Sequence, residues 1–266
     1  MNNISILISS CSKYRDTWKP FIFFMRKYWS ECTLSIYLGA NGEKYLDMVP
    51  EGVQYICTGP DESWSKNLAD YLDQIDTKYV LLFLDDFLLT AKPNIEMLER
   101  GLELAELYDA PYVRLNANPG PDVVIDENFG TINKYSEYRA TLDIAIWDKY
   151  FLQQLCAYDF DPWRFERYAG IVDQSLSKVF ISANEKYFPR IHFIEKGKYF
   201  PMVPDYFREE GFVWANEGHR EIMKSDGPGN TRSVSSKGSI KNLLGEILPP
   251  YIVFLIKRMK LMLRML

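Results

Sequence analysis

An α/β domain built on a largely parallel sheet is what residues 1–110 predict. Three observations lead there. Short apolar runs recur without polar alternation, as in strands buried on both faces. Amphipathic segments of helical period lie between them. The order reads strand, helix, strand, strand, helix, strand, helix, the signature of crossover connections.

Each element has its own justification. "NISILIS", Asn3 to Ser9, is an apolar run stopped by polar residues and predicts the first strand. Trp18 to Trp29 predicts a helix with an aromatic face, and Leu34 to Leu38 a second strand ended by Gly39-Ala40-Asn41-Gly42. "VQYICTG", Val53 to Gly59, predicts a third strand. Ser63 to Ile75 predicts a helix with Ser63 as its N-cap, and Trp64, Leu68, Tyr71, Leu72 and Ile75 lie at helical spacing. "KYVLLFLDDFLLTAKP" carries the fourth strand, and Ile95 to Tyr108 another amphipathic helix. Beyond Tyr112 the pattern is irregular. Asn116 to Gly130 predicts a loop, "DIAIWDKYFLQQL" a helix, and "YFPRIHFIEKGKYF" one or two strands.

Bulk composition narrows the function classes. The chain has 266 residues, 47% of them hydrophobic, which supports a substantial core. A net charge of −5 argues against nucleic acid as a partner. The cysteines (Cys11, Cys32, Cys57, Cys156) lack metal or redox spacing and predict reduced thiols in a cytoplasmic protein. "MNNISILISS" has no basic segment before an apolar core and predicts a strand rather than a secretory signal.

The chemistry concentrates at Asp85 and Asp86, which interrupt the most apolar run of the chain. A buried carboxylate neutralises or finds a partner, and the nearest cations in sequence are Lys78 and Lys92. In open α/β sheets ligands bind beyond the carboxyl ends of the strands, where this pair falls. A hard cation, Mn²⁺ or Mg²⁺, shared with substrate phosphates would compensate it. The plainer use of the pair is to cap a turn.

The C-terminal segment is of a different kind. Ser225 to Ser239 has the composition of a flexible linker. Residues 240–266 predict a basic amphipathic helix: Lys257, Arg258, Lys260 and Arg264 share an arc of roughly 160° at about 100° per residue. Ile252, Leu255, Ile256, Met259, Met262, Leu263 and Leu266 lie opposite. Spanning a bilayer costs on the order of 10 kcal/mol for the cations against roughly 5 kcal/mol gained. The expectation is therefore a helix lying on an anionic membrane, detachable through its linker, with docking on the protein's own core or a partner subunit as the alternative.

Four pieces in this order, "ISSCSKYRDTW", "GPDESWSKNL", "LLFLDDFLL" and "IAIWDKYFLQQL" followed by "DPWRFE", resemble nucleotide-sugar-dependent glycosyltransferases of the GT-A fold. The likeness is strongest to bacterial enzymes of capsule and O-antigen polysaccharide synthesis and covers roughly residues 3–225. It implies one Rossmann-like, GT-A-like domain over residues 1–224, with a nucleotide-sugar half at 1–110 and an acceptor half at 111–224. In the family an acidic DxD motif binds metal and diphosphate. Here it reads Leu84-Asp85-Asp86-Phe87, so Asp86 is implied as the metal contact, with Asp85 nearer the ribose or a metal-bound water.

The same resemblance implies donor contacts at Ser9, Ser10, Cys11, Tyr14 and Asp16, at Asn41, and at Trp64, Ser65 and Lys66. Tyr14 would stack on a base or simply pack, and Lys66 would meet a phosphate or water. Inverting transfer needs one base for the attacking hydroxyl. Glu166, among Trp163, Phe165 and Tyr168, is implied as that base, with Asp161 its rival. Trp163 and Arg164 would contact the acceptor, although Arg164 and Arg167 could instead pair with Glu166. His219 is a further metal candidate, and His192 is expected in the core or sheet. Implied partners are a nucleotide-diphosphate sugar, foremost a UDP-sugar, and a lipid-linked glycan acceptor at the inner face of the cell membrane. The competing functions are a membrane-associated non-catalytic module of this fold and a nucleotidyltransferase.

Overall fold

The computed structural model describes residues 3–214, 220–224 and 249–265. His219 and the expected linker, residues 225–239, lie outside them. Strands β1 (Ile4–Ser9), β2 (Ile36–Asn41), β3 (Gln54–Thr58) and β4 (Tyr79–Leu84) pair in parallel in the order β3-β2-β1-β4. Helices α1 (Trp18–Tyr28), α2 (Trp64–Leu72) and α3 (Ile95–Leu107) follow β1, β3 and β4 as the periodicity predicts. Ser63 caps α2 by accepting from the Lys66 amide, and Asn94 caps α3 by accepting from that of Met97.

The sheet continues into the second half of the chain. Strands β6 (Tyr112–Arg114), β7 (Val123–Val124), β8 (Phe129–Ile132), β9 (Ala145–Asp148) and β10 (Phe180–Ala183) extend it to nine strands, in the order β3-β2-β1-β4-β9-β6-β10-β8-β7. Strand β9 is antiparallel to both neighbours, β4 and β6. It corrects the expectation of one helix over "DIAIWDKYFLQQL". Ile146 packs into the core on one face of the sheet, Ala145 and Trp147 into the core on the other. Such two-sided burial is what a central strand offers. Asp148 then caps α4 (Lys149–Cys156), accepting from the Phe151 amide at 2.9 Å. Next come α5 (Pro162–Tyr168) and α6 (Asp173–Leu176).

Two apolar layers sandwich the sheet. Ile4, Ile6, Ile8, Leu81 and Phe83 pack with α1 and α3 on one side. Leu7, Val80 and Leu82 pack with α2, α4 and α5 on the other. Strand β5 (Phe87–Leu89) leaves the main sheet to pair with β11 (Arg190–His192), in the register His192↔Phe87. The hairpin of β12 (Ile194–Glu195) with β13 (Lys198–Tyr199) and helix α7 (Val203–Glu209) follow. Helix α8 (Pro250–Met265) closes the described chain.

Register places three loops at one level. Ser9 lies opposite Leu84 on one side and Gly39 on the other, so the segments after β1, β2 and β4 emerge together. Tyr71 of α2 packs over Gly39, where an added Cβ would stand 2.3 Å from a ring carbon, and its hydroxyl donates to the Ser10 carbonyl at 3.2 Å. Gly39→Ala must push the ring aside and should destabilise the fold by about 1–3 kcal/mol, as overpacking does. Urea denaturation reads this directly. An unchanged midpoint would mean that Tyr71 shifts without cost.

Candidate functional site

The first turn after β4 carries Asp85 and Asp86. Asp85 is buried, and its Oδ2 accepts a short hydrogen bond from Ser10 Oγ, which accepts in turn from Trp18 Nε1 at 2.7 Å. Among the described residues Asp85 makes no ion pair. Burial, and then the adjacent Asp86, hold its carboxyl well above the usual carboxylate range. Asp86 is more open. Its Oδ2 lies 2.5 Å from His192 Nε2, while its Oδ1 is buried without a hydrogen-bond partner. Sequence reasoning placed His192 in the core or sheet; the imidazole is 40% exposed and faces the carboxylate. The pairing of β5 with β11 brings it there, and the alternation of Arg190 and His192 in "PRIHF" was the available signal.

Negative charge dominates this end of the sheet. Burial raises the Cys11 thiol and the Tyr14 hydroxyl, and Asp85 raises both further. Asp16 is the exception. Arg220 grips it with two hydrogen bonds, Nε to Oδ2 at 2.9 Å and a terminal nitrogen to Oδ1 at 2.8 Å, and Tyr199 donates to it at 2.5 Å. Its carboxylate takes part in that clamp, which joins the turn after β1 to Tyr199 and Arg220. The guanidinium of Arg220 also lies 4.3 Å from the centre of the half-buried Tyr14 ring. Neither Arg220 nor Tyr199 was singled out from the sequence, because their partners lie more than 180 positions away.

The remaining expected donor residues divide in two. Ser9 is buried in β1, Ser10 and Cys11 follow it, and Asn41 ends β2 with its amide nitrogen buried and unpartnered. Of these four, Ser10 bonds Asp85 directly and Cys11 lies within its field. The α2 residues are otherwise occupied. Trp64 packs edge-on to Phe165, Ser65 Oγ donates to the Phe160 carbonyl at 2.7 Å, and Lys66 pairs with Glu62 at 2.9 Å. Ser65 is a buried clamp between α2 and the chain entering α5.

On the acceptor side, Asp161 caps α5 by accepting from the Arg164 amide at 2.8 Å, which accounts for that carboxylate. Trp163 is 77% exposed. Glu166 Oε1 accepts from the Leu142 amide at 2.8 Å, just before β9. Among the described residues neither Arg164 nor Arg167 pairs with it; Arg164 lies over the Phe160 ring at 5.4 Å. No contact joins Glu166 to the aspartate pair.

Asp86 suits a hard cation that takes most of its ligands from phosphate and water, because its buried Oδ1 lacks a hydrogen-bond partner among the described residues. Among the described residues no group of three or more acidic, histidine or cysteine side chains is placed to hold a metal ion.

No known protein family and no curated protein matches the chain. Among solved structures it is similar to S. aureus TarS 1–349 in complex with UDP-GlcNAc, at 8% identity over 74% of this chain and 60% of that one, with a TM-score of 0.47. TarS 1–349 in another structure gives 10% identity over 57% and 48%, with a TM-score of 0.37. The bifunctional IspDF from Campylobacter jejuni gives 11% identity over 58% and 43%, with a TM-score of 0.33. The chain spans about half the length of the TarS structures it resembles. What the site does therefore rests on its own residues.

The raised carboxyl of Asp85 has a thermodynamic signature. The folded state holds that proton more tightly than the unfolded chain, whose carboxyl titrates near ~3.9. Its contribution to stability is complete below that value and is lost as pH rises toward and through the folded value. Asp85→Asn removes the loss. In EDTA the variant should melt higher than the parent at neutral pH, and the difference should shrink on acidification. A variant that melts lower at neutral pH overturns this.

Proposed function

We propose that the protein is a GT-A-type glycosyltransferase that moves a sugar from a nucleotide-diphosphate donor, foremost a UDP-sugar, onto a glycan hydroxyl. The observation that carries the reading is the uncompensated pair Asp85-Asp86 at the carboxyl end of β4, with one buried carboxylate oxygen of Asp86 unpartnered. A diphosphate alone would be repelled by this field, so the donor calls for a bridging cation. Mn²⁺ or Mg²⁺ held by Asp86, with Asp85 behind it, would supply Lewis-acid stabilisation of the departing diphosphate.

The chain's own groups do the rest. His192 fixes the orientation of the Asp86 carboxylate through its contact with Oδ2. Ser10 anchors Asp85 from the opposite side. The Tyr14 ring, held under the Arg220 guanidinium, lies against the nucleobase, and the unpartnered amide of Asn41 donates to a carbonyl on that base. Across the site, Trp163 offers an exposed aromatic face to the acceptor sugar. Glu166, with Oε1 held by the Leu142 amide, takes the proton from the attacking hydroxyl at Oε2, which makes the transfer a single inverting displacement. The setting that suits this chemistry is bacterial surface polysaccharide synthesis on a lipid-linked acceptor, at the cytoplasmic face of the membrane.

Two experiments test the reading. Calorimetric titration with UDP should show binding in Mn²⁺ that Asp86→Ala abolishes and His192→Ala weakens. Undiminished UDP binding by Asp86→Ala in EDTA would sink the metal assignment. Glu166→Gln keeps the contact with Leu142 but cannot accept a proton. Turnover should fall by ~100-fold or more with UDP affinity unchanged, and NMR of the product should show inverted anomeric configuration. Retained configuration would rule out Glu166 as the base of a single displacement.

A further inference from the structure

Helix α8 is docked by a narrow side and leaves its most apolar side bare. Phe254 and Leu261, seven residues apart, are buried against the α2–α4–α5 layer, and Tyr135 packs on Phe254 with ring centres 4.9 Å apart. Lys257 pairs with Glu137 at 2.5 Å, and Arg258 pairs with Asp173. Two of the four cations expected to face lipid therefore turn toward the protein. Seven residues apart is two helical turns, so the opposite side is free, and it carries Ile252, Leu255, Ile256, Met259, Met262 and Leu263. All six are exposed, from 36% at Ile252 to 71% at Leu263.

We infer that this outward side of α8 seats the protein on an anionic lipid surface. Charge selects the partner. The chain carries a net −5, yet no acidic residue follows Glu246, and Lys260 is exposed beside the apolar strip. An apolar strip flanked by the exposed Lys260, on an acidic body, suits negatively charged lipid and disfavours the body of a second copy. Size points the same way. A helix of 16 residues is about 24 Å long and about 10 Å wide, roughly a third of the ~800 Å² per partner that a stable dimer buries. The strip is enough for an interfacial helix, and no described helix is long and apolar enough to cross a membrane. Because the docked side is pinned by packing and two ion pairs, lipid contact fixes the orientation of the whole domain. This replaces the expectation of a detachable anchor. It also brings α5 near the lipid, since Glu166 and Arg167 line a shallow pocket closed by Val253, Phe254 and Lys257 of α8.

The test is flotation of the full chain with phosphatidylcholine vesicles, with and without phosphatidylglycerol. Recovery should need the anionic lipid. The double variant Met259→Asp with Leu263→Asp, both at exposed positions, should lose at least about ten-fold in recovery, with unchanged melting and unchanged donor hydrolysis in solution. Lys260→Glu should weaken recovery several-fold. Equal recovery of the double variant and the parent overturns the proposal, as does equal recovery on neutral and anionic vesicles. A parent that is dimeric by light scattering and fails to float, with a monomeric double variant, assigns the face to a second copy instead. Donor hydrolysis measured on the same samples separates failure of lipid binding from failure of the transferase reading.

Discussion

The buried carboxylate of Asp85 at the end of β4 is the constraint around which the site is organised. It sits at the level where three parallel strands deliver their loops, and it is met there by Ser10 rather than by a cation. Its environment favours the proton, yet Asp86 beside it keeps a second carboxylate at the same place. A fold that only needed stability would place a neutral or apolar residue at this position, since burying charge without a partner is destabilising. The arrangement is understandable as a receptor for positive charge supplied from outside.

Asp16 shows the opposite solution a few residues from Ser10. There the chain provides its own cation, Arg220, and a hydroxyl from Tyr199. The buried pair joins the turn after β1 to a segment more than two hundred positions later. One acid is neutralised internally and becomes architecture, while Asp85 meets the Ser10 hydroxyl and Asp86 meets His192, with no lysine or arginine ion pair to either among the described residues. The contrast between neighbours of the same charge makes the unsatisfied pair more informative than its burial alone.

Much of this was legible in the sequence because it is encoded locally. The strand and helix order of residues 1–110 follows from periodicity, and the cap at Ser63 is a short-range hydrogen bond. The Asp85-Asp86 anomaly is visible as charge in an apolar run. What was missed depends on long-range pairing. "AIWD" reads as the start of a helix until β4 and β6 receive it on both edges. His192 reads as a strand residue, which it is, but only its register against Phe87 sets it on Asp86. The amphipathic character of α8 was plain, whereas the side that docks was not. Phe254 and Leu261 differ from their apolar neighbours only in having Tyr135 and the α2–α4–α5 layer beneath them.

Strand β9 has a mechanical consequence. Drawn from the second half of the chain, it is hydrogen-bonded along β4 on one edge and β6 on the other. The region that carries the aspartates and the region that carries α5 are therefore parts of one stiff plate. They are not two lobes on a hinge. Bending between them would break the central ladder, so the relative placement of the two regions is set when the chain folds. Variation in length then falls to the loops at the plate's rim, which can change without softening the platform beneath.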